Sequence, residues 1–157
     1  MIYRLGDICR ITKGAVGIMK AVAGSYPMVT LAEERKSHNE YQFDAPNGAV
    51  IIPLVSSTGH GHASMKRVHY QEGFFALGNI LCAVIPKDES LILAKYLHIY
   101  LQDNKDEVLV PLMKGMANVS LPMGKIADIE LEVPSVEQQQ EIIKIEAEIT
   151  RNYNLLT

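Results

Sequence analysis

The sequence predicts an α+β protein. It reads as a single globular domain over residues 1–134, a twisted, mostly antiparallel sheet with a few helices, followed by an amphipathic C-terminal helix over 135–157. Three observations predict this. Short β-leaning runs bounded by Gly, Asn and Pro punctuate the first part of the chain. A single helix-period segment, 88–104, interrupts them. The last segment carries Ile142, Ile145, Ile149, Tyr153 and Leu156 at spacings of 3, 4, 4 and 3, one apolar stripe on a helix. With 157 residues, 48% of them apolar, the chain can bury one sizeable core.

The elements follow in order. "YRLGDICRITKG" (3–14) starts with a short turn or a helical start around Leu5-Gly6-Asp7 and continues as a strand that breaks at Gly14. "YPMVTLA" (26–32) is β-leaning, and the polar, basic "ERKSHNEYQF" (34–43) is a connection or an exposed strand pair. In "APNGAVIIPLV" (45–55) the turn dipeptide Asn47-Gly48 opens an apolar strand. "SSTGHGHASMKRVHY" (56–70) is a loop, and "FFALGNILCAVIP" (74–86) is one or two strands broken near Gly78-Asn79. In "DESLILAKYLHIYLQDN" (88–104), Ser90 is placed as an N-cap, and Ile92, Tyr96, Ile99 and Tyr100 share a stripe. Residues 108–122 form a Gly-centred loop and "IADIELEVP" (126–134) an alternating strand. Ser135 and Gln138 then make a capping box for the last helix. That helix stops at Thr157 with its stripe still running, as expected of a helix cut short.

Several function classes are disfavoured at once. The longest apolar stretches, Ala49–Val55 and Ile80–Pro86, fall far below the ~18 residues that span a bilayer, so no membrane partner is expected. "MIYRLGDICR" has no basic n-region with a following apolar core, hence no secretory signal. Cys9 and Cys82 form no CxxC and read as reduced, buried thiols of a cytoplasmic protein.

Net charge is −3, which taken whole argues against nucleic acid, but the charge is unevenly placed. Residues 126–157 carry seven acids against Lys144 and Arg151, while 1–125 carry thirteen bases against eleven acids. Ala45–Gln71 has no Asp or Glu and includes Lys66, Arg67 and three histidines, a locally positive surface at short range. An anionic last helix suits protein docking; the more basic body suits a polyanion.

The 56–70 segment admits three chemistries. His60, His62 and His69 could supply zinc ligands for a small metal-dependent enzyme, but no acid lies in the loop to orient them, so no metal is expected. A phosphate cradle needs GxxxxGK[ST], and the pattern is absent. No nucleophile elbow surrounds Ser56, Ser57 or Ser64, so no catalytic residue is assigned. Nucleic-acid reading requires Lys and Arg on phosphates and polar side chains on base edges. Ser57, Thr58, His60, His62, Ser64, Lys66, Arg67 and His69 supply both classes, with glycines that allow close approach. Arg35, Lys36, His38 and Asn39, then Lys114, Asn118 and Ser120, and finally Lys13, fit the same need. That they share one surface is an expectation. A protein-interaction module that uses the stripe, its basic loop merely solvated, is the alternative.

At this point the chain resembles a known family. "YRLGDICRITKG" is similar to the opening of a target-recognition domain from the specificity subunits of Type I restriction–modification systems. "AKYLHIYLQDN" (94–104) and the closing block "SLPMGKIADIELEVPSVEQQQEI" (120–142) strengthen the likeness, with Ser120-Leu121, Ile129, Leu131, Val133-Pro134, Glu137-Gln138 and Ile142 in the family's places. The resemblance implies a non-catalytic domain that reads one half of a bipartite double-stranded DNA site. It implies helices that pair antiparallel and dock a modification (methyltransferase) subunit. S-adenosylmethionine would sit on that subunit and ATP on a restriction subunit, with no cofactor on this chain. It implies half a specificity subunit, with Ile142, Ile145, Ile149, Tyr153 and Leu156 in a helix–helix contact such as a homodimer that imitates the two-domain subunit. The family carries no fixed set of base-contacting residues, so the DNA residues above rest on loop chemistry.

Overall fold

The computed structural model describes residues 1–17, 22–58 and 61–156, the last without its side chain. Among the described residues, eight strands and five helices follow in the order β1 (Ile2–Arg4), α1 (Leu5–Ile8), β2 (Cys9–Lys13), β3 (Tyr26–Val29), β4 (Lys36–His38), β5 (Phe43–Pro53), β6 (His69–Leu77), β7 (Leu81–Pro86), α2 (Ala94–Asp103), α3 (Lys105–Val108), α4 (Met123–Ala127), β8 (Glu130–Glu132) and α5 (Val136–Leu156). A 3-10 turn, Val110–Leu112, follows α3. The main sheet runs β2-β7-β5-β6-β3-β4, and β1 pairs with β8. Each ladder between these strands is antiparallel except β3 with β6, so the α+β, mostly antiparallel expectation holds.

The register forces strong coiling. β6 runs beside β5 from Ile51↔His69 to Phe43↔Phe75, whereas β7 begins at Pro53↔Leu81. Thus β6 leaves near the start of β5 and β7 re-enters near its end. An ideal β5 would separate those points by about 33 Å, yet the six residue steps from Phe75 to Leu81 reach only about 21 Å. β5 must therefore curl, and it does so through a register irregularity between Ala45 and Ala49, with Gly48 at φ 104°. Val16 pairs with Gly78, so the continuation of β2 meets the end of β6 and the sheet closes toward a barrel.

Closure buries both faces of β5 from Ala49 to Pro53, which is why that half of the strand is continuously apolar. Ala49 and Ile51 join Val29, Phe75, Leu77, Leu81 and Ala83 in one cluster. Val50 and Ile52 join Leu5, Val84, Leu97, Leu101, Leu109, Ile126 and Leu131 in a larger one beneath the helices.

Several local expectations change. Asn47-Gly48 is a bulge inside β5, not the turn before a strand. The strand expected at 74 begins at His69. α2 starts at Ala94, because Ser90 instead donates to Asp88 Oδ1 at 2.6 Å in a local turn. The start of α2 is held from α5: Gln139 Oε1 accepts from Leu93 N and Gln139 Nε2 donates to the Leu91 carbonyl, both at 2.9 Å. The strand expected over 126–134 is α4 followed by the three-residue β8. The capping box forms as expected: Gln138 N donates to Ser135 Oγ at 3.2 Å and Ser135 N to Gln138 Oε1 at 3.1 Å. Among the described residues no helix is long and apolar enough to cross a membrane.

Candidate nucleic-acid interface

The loop after β5 is a self-stitched structure. Lys66 N donates to Ser57 Oγ at 2.7 Å, Ser64 N to Ser56 Oγ at 3.0 Å, and Thr58 N to Ser64 Oγ at 3.1 Å. Ser56 Oγ donates to the His62 carbonyl. The hydroxyls of Ser57 and Ser64, expected at base edges, first hold the backbone in shape. Ser57, Thr58, His62 and Lys66 remain exposed. His60 lies outside the described residues.

A second segment docks beside this loop. Lys114 and Ser120 exchange two backbone hydrogen bonds of 2.8 Å, making a small hairpin with Met116 near its tip. Ser56 N donates to the Val119 carbonyl at 3.0 Å and Leu121 N to the Leu54 carbonyl at 2.8 Å, so the hairpin extends from the end of β5. Met113, Val119 and Leu121 anchor it in the larger core, while Lys114, Met116, Asn118 and Ser120 are exposed. A side chain at Gly61 would collide with the Met116 carbonyl, so hairpin and loop abut. Lys13 comes to the same place: it lines a cleft of about 410 Å³ with Ser120, Val55 and Asn79.

This convergence has a charge signature that the sequence reading missed. Residues 8–32 and 108–127 contain no Asp or Glu, like 45–71. The Val16–Gly78 and Val55–Ser120 pairings bring these runs to one end of the sheet. The runs themselves are legible from composition; their meeting is not.

The 35–39 segment behaves differently. Arg35, Lys66 and Arg67 line a neighbouring cleft of about 480 Å³ with Glu33, His69 and His98. Arg35 donates through Nε to Gln71 at 2.7 Å and through Nη2 to the Tyr70 carbonyl at 3.0 Å. Arg67 Nη1 donates to the Leu31 carbonyl at 3.0 Å. His38 is buried, its Nδ1 3.1 Å from the Val22 carbonyl. His69 is also buried; burial first, then Arg35 and Arg67, push its pKa down to about 4. Arg35, His38 and His69 thus serve the fold, and Arg67 is half-committed to it, which corrects their expected place among exposed readers. Lys36 and Asn39 are exposed on and just after the edge strand β4.

Among the described residues no group of three His, Cys, Asp or Glu side chains could hold a metal ion. His69 is set in β6 rather than in the loop with His62. Burial pushes the thiols of Cys9 and Cys82 up to about 12, so neither is a ready nucleophile.

α5 leaves the domain with its stripe uncovered. Ile142, Ile145, Ile149 and Tyr153 rise from 37% to 67% exposed along the helix. The side chain of Leu156 lies outside the described residues. A different face of α5, with Ile143, Ala147 and Leu155, lines an open groove of about 810 Å³ against His98 and Ile99 of α2.

A family model described as "Type I restriction modification DNA specificity domain" matches residues 1–155. The fold is similar to the S subunit of a Type-I restriction-modification system from M. genitalium, with 12% identity and TM-score 0.73, over 99% of this chain and 40% of that one. It is similar to the HsdS subunit from Thermoanaerobacter tengcongensis, with 18% identity and TM-score 0.67, over 99% of this chain and 38% of that one. A structure described as the basis of complex assembly and conformational transition of the type I R-M system gives 18% identity and TM-score 0.67, over 99% and 39% of the two chains. The chain therefore spans about two fifths of the length of these solved structures. No curated protein matches it.

Proposed function

The chain belongs to the family of Type I restriction modification DNA specificity domains, and on that premise we propose that it is a non-catalytic unit that recognises double-stranded DNA. One observation carries the reading: three acid-free segments distant in sequence gather at one end of the sheet and present Lys13, Lys66 and Lys114 beside Ser57, Thr58, His62, Asn118 and Ser120. Cations there would hold phosphates, while His62 and Asn118 are suited to base edges. Lys36 and Asn39 would flank this surface from the sheet edge.

The anionic α5 takes the protein-binding role. Its uncovered stripe of Ile142, Ile145, Ile149 and Tyr153, with Leu156 beyond, fits another helix, in a second copy of this chain or in a longer specificity subunit. Through that assembly the unit would direct a methyltransferase subunit and a restriction subunit to the site. S-adenosylmethionine and ATP would be used on those partners, in the cytoplasm. The uncovered stripe is also what favours the alternative, a protein-interaction module without DNA contact.

The deciding experiment is a salt titration of binding to mixed-sequence duplexes. Each phosphate that the protein no longer neutralises lowers the slope of log affinity against log salt by about 0.9. Lys66→Ala with Lys114→Ala should weaken every duplex and flatten the slope by about 2, while Asn118→Ala should alter preference among sequences. Unchanged binding by the double variant would remove DNA from this surface.

A further inference from the structure

Met116 is 94% exposed, more than any other large apolar side chain among the described residues. It does not sit on a loose loop. The Lys114–Ser120 bonds close the hairpin beneath it, Ser56 and Leu54 pair with its base, and Met113, Val119 and Leu121 are sunk in the core. Gly115, at φ 130°, makes the tight turn against the Asn118 carbonyl that a side chain there would block. The fold thus fixes a backbone whose tip carries a flexible thioether into water, where it gains nothing.

Its neighbours indicate what it meets. Lys114 and Asn118 flank it, Ser57, Thr58 and His62 lie across the abutting loop, and no acid interrupts the hairpin from 108 to 127. A cation, an amide and an unbranched apolar chain on a rigid projection make up the set that enters a duplex. Proteins that kink DNA insert Met, Leu, Phe or Ile between base steps, and Met adapts to irregular gaps. We propose that Met116 is an apolar wedge that enters the duplex and partly unstacks one base step. This rests on the DNA reading above and assigns that surface a mechanical role, selection of steps that are easily opened.

The test uses the chain with mixed-sequence duplexes in which 2-aminopurine replaces adenine at successive positions, so that unstacking raises fluorescence. The parent should raise it at one step. Met116→Ala should bind about tenfold more weakly, because its apolar burial is gone. Its salt slope should match the parent's, since every phosphate-binding cation is still in place, and the fluorescence rise should vanish. Met116→Leu should keep both. Circular dichroism of Met116→Ala should be unchanged, because the side chain packs on nothing. Parent binding with no rise at any probe, or Met116→Ala equal to the parent, overturns the wedge and leaves the DNA reading intact. A parent that binds no duplex overturns both. Met116→Ala that binds duplex normally but loses a protein partner makes Met116 a protein contact and also overturns the wedge.

Discussion

Arg35 Nη1 lies 3.4 Å from His69 Nδ1, so a strand-edge guanidinium fixes the tautomer of a buried imidazole. Because a guanidinium only donates, Nδ1 accepts and the ring proton rests on Nε2, a buried atom with no partner among the described residues. A second proton has no acceptor to meet and two cations to oppose it.

Stability should therefore depend on pH through His69. Its pKa falls from an ordinary value of 6.5 to about 4, so the unfolded chain binds the extra proton first. The contribution is complete above about pH 6.5 and is lost as pH falls toward 4, the unfolded state gaining by up to roughly 3 kcal/mol. His98, lowered chiefly by burial, pulls in the same direction. Urea unfolding at stepped pH should show the slope, and His69→Gln should flatten most of it.

Gln139 should prove a structural hinge pin. It is fully buried and bonds Leu93 N, the Leu91 carbonyl and the Pro134 carbonyl, each at 2.9 Å. Gln139→Leu strands those backbone groups and should cost about 2–4 kcal/mol in denaturant unfolding. A cost below about 1 kcal/mol would mean that α5 is not secured there.

The bulge in β5 offers a matched pair. Gly48 and Gly73 both have positive φ, at 104° and 78°. A side chain at Gly48 would strike the ring of Tyr70, whereas one at Gly73 meets nothing within 4 Å. Gly73→Ala should cost about 1 kcal/mol and Gly48→Ala roughly 3 kcal/mol, measured by chemical denaturation. Equal costs would show that β5 relaxes easily around its bend.

Self-association should depend on the far part of α5. Sedimentation across a concentration series should show the parent's mass rising, and Ile145→Glu should hold it at that of a monomer. Gln139 lies nearer the start of the helix, so the variant should keep the parent's circular dichroism. A parent of constant mass would direct the stripe to a different partner.

How far these features could be read beforehand follows from how local their causes are. Ser135 and Gln138 satisfy each other three residues apart, so the start of α5 was legible. The apolar run of β5 was legible too, but Asn47-Gly48 marks any backbone with positive φ, and only the pairing of β5 with both β6 and β7 makes it a bulge. Ser90 has the chemistry of a cap, yet α2 is secured by Gln139, 46 residues from Leu93, and no local window contains that bond. At the candidate surface the residue types were legible and the geometry was not. His62 and His69 look alike in sequence, and only the start of β6 puts one in solvent and the other inside.

The hairpin under Met116 joins its neighbours through backbone atoms and three sunken apolar side chains. Lys114, Met116, Ala117 and Asn118 are exposed, and their side chains can be rewritten without disturbing any packed neighbour so long as Gly115 keeps the turn. Such an arrangement separates vocabulary from grammar: the scaffold can stay constant while the tip diverges freely, so new preferences become accessible in a few substitutions with little penalty in folding.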